Sequence, residues 1–139
     1  MPIAGVRISD MIASGRNGVR AYNTSGLELF NVQVNAERGP AFMFRDAADL
    51  ELSGVTSRQP LASLPVIRLD KTPGAIVRNS KAFTGTGTFL SVGAGELKSL
   101  TLDGNAISRA KKPIEESATD YWGMPPASRT TAAAPRAKK

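Results

Sequence analysis

Leu27-Glu28-Leu29-Phe30-Asn31, Leu50-Glu51-Leu52-Ser53-Gly54, Ala75-Ile76-Val77-Arg78-Asn79 and Leu100-Thr101-Leu102-Asp103-Gly104 share one pattern: two apolar residues separated by one, then Asn or Gly. Val6-Arg7-Ile8-Ser9-Asp10 precedes them, and the five starting positions lie 21, 23, 25 and 25 residues apart. A fixed period of this size is the signature of a repeat architecture, so it decides the fold before any propensity does. A second short strand recurs at matching offsets in Gly18-Val19-Arg20-Ala21-Tyr22, Ala41-Phe42-Met43-Phe44-Arg45, Val66-Ile67-Arg68-Leu69-Asp70 and Ser91-Val92-Gly93-Ala94-Gly95. Pro40 and Pro65 fall in step just before two of them.

Alternation of period two sends one side chain inward and the next outward. Val19, Phe42, Ile67 and Val92 make one inward stack, and Ala21, Phe44, Leu69 and Ala94 a second. Leu27, Leu50, Ala75 and Leu100 make a third, beside Ile8, Leu29, Leu52, Val77 and Leu102. No unit is large enough to bury its own apolar side, so neighbours must stack at about 4.8 Å per coil. Asn31, Gly54, Asn79 and Gly104 share a column where the chain must bend. Asn and Gly tolerate the left-handed backbone such a corner needs. Apolar spacings of three and four, which a helical solenoid requires, are missing from these segments. The expected fold is all-β, a right-handed parallel β-helix of four to five coils over residues 1–108. A β-sandwich competes, since hairpin signals such as Asn17-Gly18 also occur.

The phrases Gly18-Val19-Arg20-Ala21-Tyr22-Asn23, Leu27-Glu28-Leu29-Phe30-Asn31-Val32-Gln33-Val34 and Gly39-Pro40-Ala41-Phe42-Met43-Phe44 carry a resemblance. Over residues 3–108 the chain resembles the C-terminal coils of bacterial polygalacturonase-like glycoside hydrolases (family 28), which are pectin lyase-like right-handed parallel β-helices. The resemblance implies a carbohydrate-associated, extracytoplasmic setting. It does not extend to the family's catalytic motifs. Asn-Thr-Asp, paired Asp-Asp and Gly-His-Gly are absent, and Arg7-Ile8-Ser9 matches two letters of Arg-Ile-Lys. No catalytic role transfers to any position.

Composition agrees. The 139 residues contain neither Cys nor His, which removes disulfides, thiolate metal sites and the usual proton shuttle. No cofactor or metal site is therefore expected. No apolar run reaches the roughly 18 residues of a membrane span, and the start lacks the charge and apolar pattern of a signal peptide. The net charge of +6 divides into +2 over residues 1–108 (11 basic, 9 acidic) and +4 over 109–139 (7 basic, 3 acidic). The basicity belongs largely to the tail, which is short and free of aromatics past Trp122, so it does not point to nucleic acid.

The best ligand surface is the outward row Arg20, Met43, Arg68, flanked by Tyr22, Arg45 and Asp70. Arg pairs a uronate carboxylate at two points, and Tyr stacks on a sugar ring. The bland alternative is a solvated sheet face. Asp46 and Asp70 come from neighbouring coils, but they fall in adjacent columns and should diverge rather than form an acid–base pair. Arg45 is expected to pair with Asp70, and Asp46 with Lys71. Gly85-Thr86-Gly87 and Gly93-Ala94-Gly95 read as corners and packing points, since neither opens a helix as a phosphate loop would.

Residues 109–123 are expected to cap the solenoid. Pro113 followed by Glu115 and Glu116 suggests a short helix, with Ile114, Tyr121 and Trp122 as its apolar face. Residues 124–139, rich in Pro, Ala and basic side chains, read as a linker or tail. Three functions stay open: a non-catalytic module associated with an acidic polysaccharide, a structural or self-assembling β-helix, and an enzyme in its own right, which the missing motifs disfavour. The N-terminal coil has no evident cap, so upstream coils or a second copy are expected to cover it.

Overall fold

The computed structural model describes residues 3–119 and 121. Among these residues nine strands form one sheet in which every pairing is parallel: β1 (Ile3–Ala4), β2 (Arg7–Ser25), β3 (Glu28–Ala48), β4 (Glu51–Ser53), β5 (Pro65–Asp70), β6 (Ile76–Arg78), β7 (Thr88–Val92), β8 (Thr101–Asp103) and β9 (Lys112–Glu116). The sole helical element among the described residues is a 3-10 turn at Leu97–Ser99. Parallel partners 21 to 25 residues apart, with no crossover helix, leave only a chain coiling on itself. The fold is a parallel β-solenoid of about five turns.

Three faces run along it. On the first, Arg7 pairs with Glu28, Glu28 with Glu51, Glu51 with Ile76 and Ile76 with Thr101. The second holds residues 11–17 of β2 against 32–38 of β3, continued by single bridges Gln33–Thr56 and Lys81–Ala106. The third stacks β1, the ends of β2 and β3, then β5, β7 and β9. Leu29, Leu52 and Val77 are fully buried on the first face, as are Phe42, Ile67, Phe44 and Leu69 on the third. Burial of these columns is the main favourable term, because successive coils stack into one continuous core.

The corners follow the expected chemistry. Asp10, Asn31 and Asn79 take φ of 53°, 53° and 52°, with Gly54 and Gly104 at 66° and 64° in the same column. Asn23, Asp46 and Lys71 turn a second corner with φ of 60°, 54° and 53°. Short polar side chains reach this region at modest cost. Lys71 does so with its backbone N–H donated to Glu96 Oε1 at 2.7 Å.

Two expectations fail. In the fourth coil, Ile67 pairs with Leu90 and Leu69 with Val92, so the inward stacks continue through Leu90 and Val92, and Ala94 is exposed. The anticipated register was two residues off. A slip of two leaves the in–out alternation unchanged, so pattern alone cannot choose between them. Backbone packing chooses: a Cβ on Gly87 would overlap the Ala62 carbonyl, so this glycine sets where β7 begins. The second failure is the helix expected from Pro113. Residues 112–116 are strand β9, paired in register with β7, and Ile114 packs against the core. Helix-start signals are local, whereas the free edge of β7 offers a ladder of hydrogen bonds and a core surface. Pro113 is tolerated because β9 is an edge strand. Trp122 and the tail 124–139 lie outside the described residues.

Candidate functional site

The expected ligand row is in register. Arg20 pairs with Met43 and Met43 with Arg68, while Tyr22 pairs with Arg45 and Arg45 with Asp70. Exposure divides it. Arg20 and Tyr22 are exposed and Arg45 is half-buried, but Met43 is fully buried and Arg68 is 1% exposed.

Arg68 is buried because the chain doubles back over it after β9. Its Nε and Nη2 donate to the two carboxylate oxygens of Asp70 at 3.1 and 2.8 Å. Nη1 donates to Ser91 Oγ at 2.7 Å and to the Val92 carbonyl at 3.2 Å. Nη2 also reaches the carbonyls of Ser117 and Thr119, both at 2.9 Å. The Tyr121 ring closes over the guanidinium with its centroid 5.0 Å from Cζ. A buried guanidinium must have its donors satisfied, and here they are used to strap Ser117, Thr119 and Tyr121 to the outer face. The Tyr121 phenol is held above its ordinary pKa, chiefly by burial, against the opposing charge of Arg68. Asp70 was expected to pair with Arg45; the guanidinium seated on it is that of Arg68, two residues earlier on the same strand. Asp46 sits at the corner and Asp70 on the face, so the two carboxylates belong to different environments.

The larger open feature is a groove of about 450 Å³ along the corner between the first and second faces, crossing four coils. Asp10, Asn31, Gly54 and Asn79 form one wall. Asn31 Nδ2 donates to Asp10 Oδ1 at 2.8 Å, tying the first two coils. Gln33, Thr56 and Lys81 line the other side with Arg58 and Phe83. Arg58 donates from Nε to Gln33 Oε1 at 3.1 Å and from its backbone N–H to Asn35 Oδ1 at 2.9 Å. Its Cζ lies 4.6 Å from the Phe83 ring centroid, and Lys81 Nζ lies 5.2 Å from the same centroid. One ring thus holds two cations at the groove.

Arg58, Lys81 and Phe83 were not singled out from sequence. The signal was present: the 25-residue step of the later coils also joins Thr56 to Lys81 and Arg58 to Phe83. Among the described residues Asp10 is the sole acid lining the groove, and no group of His, Cys, Asp or Glu is arranged to hold a metal ion. No helix among them is long and apolar enough to cross a membrane. No protein-family model, curated protein or solved structure matches this chain.

Proposed function

We propose that the protein is a non-catalytic binding module for an acidic polysaccharide, which lies in the corner groove along the solenoid axis. The observation that carries this reading is the pair of cations, Arg58 and Lys81, held around Phe83 in a groove whose other polar side chains are Asp10, Asn31, Gln33, Thr56 and Asn79. Arg meets a carboxylate at two points, Lys supplies a second positive charge, and Asn31, Gln33, Thr56 and Asn79 can donate to or accept from sugar hydroxyls. Hydrolysis by the usual route needs two carboxyl groups about the scissile bond. Asp10 is alone there and already accepts from Asn31. The likeness to polygalacturonase-like coils belongs to this proposal as its second support. Arg20, Tyr22 and Arg45, the accessible part of the third-face row, serve as a flanking contact.

The test is binding of oligogalacturonates at low salt by calorimetry. Arg58→Ala with Lys81→Ala should weaken affinity at least about tenfold, since two charge-assisted contacts are lost. Arg20→Ala with Arg45→Ala should weaken it less. The reverse order would place the ligand on the third face. Wild-type protein that does not bind would overturn the reading. A structural role is the second reading, and one observation favours it: the exposed large apolar residues among those described, Val6, Ile12 and Tyr22, all lie in the first coil.

A further inference from the structure

Between Arg7 and Asn23 the upstream edge of β2 has no strand partner among the described residues, since β1 pairs only with Thr24 and Ser25. An open edge this long is normally protected by Lys, Pro or a bulge. The second-face stretch Met11-Ile12-Ala13-Ser14-Gly15 carries no charge and no Pro, and Ile12 is 75% exposed. Among the described residues all three faces have an open edge in this coil, so a linear peptide on one of them would leave the others open. The matching partner is another solenoid end, and among the described residues the exposed large apolar side chains lie at this one.

We infer that two copies of the chain meet head to head through their first coils, with residues 10–16 of β2 pairing antiparallel with the same residues of the second copy about Ala13. This goes beyond the polysaccharide reading and does not depend on it. A two-fold axis through the second face reverses that strand onto itself, as an isologous interface requires. Centred on Ala13, the register sets Met11 opposite Gly15 and Ile12 opposite Ser14, so inward positions face inward. The two Ile12 side chains become diagonal neighbours, within reach of one another. The same register sets Asp10 of each copy opposite Arg16 of the other. Both are exposed, and the two opposite-charge pairs form at once. A register shifted by two would lose them.

Sedimentation of the full chain over a concentration series should show a monomer–dimer equilibrium with no larger species. Arg16→Asp places two carboxylates opposite two carboxylates in the homodimer, and Asp10→Lys places cations opposite cations. Each alone should raise the dimer dissociation constant at least about tenfold, because like charges across an interface cost several kcal/mol. Lys is compatible with the corner backbone at residue 10, as Lys71 shows at the neighbouring corner. Mixing the two variants restores both attractions, so a heterodimer should form with about wild-type affinity. Circular dichroism confirms that each variant is folded, and Ile12→Lys, which leaves the charges alone, should also dissociate the dimer. A wild type monomeric at every concentration overturns the inference. So does an open series of larger species, the mark of head-to-tail stacking, or a mixture that fails to recover the dimer.

Discussion

Replacing Arg68 by Met tests what holds the C-terminal strap. Met keeps most of the apolar stem and removes the charge together with its six hydrogen bonds. What remains is Asp70, whose side chain is 17% exposed, without its counter-ion. Removing one partner of a buried pair typically costs about 3–5 kcal/mol. Asp70 keeps some contact with water, and the carbonyls of Ser117 and Thr119 are rehydrated if the strap lifts, so the lower end, about 3 kcal/mol, applies. For a domain of this size that corresponds to a fall in Tm of roughly 12 °C. Thermal unfolding followed by circular dichroism measures it. The double variant Arg68→Met/Asp70→Leu removes both charges, and should melt above the Arg68→Met single variant because no orphaned carboxylate is left. If Arg68→Met melts within about 3 °C of wild type, or the double variant melts lower than the single, the buried pair is not what secures the strap.

Two further outcomes are expected. Leu52→Asp puts an unpaired charge into a fully buried column and should abolish cooperative unfolding; a wild-type melting profile would refute the assigned core. The Tyr121 phenol, raised by burial, should ionise above the ordinary tyrosine value of about 10. Because its folded pKa is raised, the stability it contributes is intact below the ordinary value and is lost as pH rises through the folded one. Tyrosinate absorbance in a Tyr22→Phe background reads this, and a midpoint at or below the ordinary value would refute the packing of Tyr121 over Arg68.

The repeat was legible because a solenoid writes its tertiary contacts into the sequence as a period. Leu29, Leu52 and Val77 stack at the spacings read from the chain, and Asn31, Gly54 and Asn79 turn the corner their residue types suggest. Alternation fixes which side chains point inward, so the two first-face columns were recoverable to Leu100 and Leu102, and the two third-face columns as far as Ile67 and Leu69. It cannot count in steps of two, and the register of β7 was therefore settled by Gly87 against the Ala62 carbonyl, a contact across coils.

By itself, then, the sequence determined the solenoid, its corner residues and the outward facing of Arg20, Met43 and Arg68. Only the tertiary structure decided that outward was not exposed. Arg68 faces away from the core and is still buried, because residues 117–119 and Tyr121 return across the third face some 50 positions later in the chain, as its bonds to the carbonyls of Ser117 and Thr119 show. The same holds for residues 112–116, whose local signals favour a helix but whose strand conformation is stabilised by an edge that exists only once β7 is in place. Periodicity records contacts that repeat with each coil; a strap and a last strand occur once, so their partners appear only when the chain is folded.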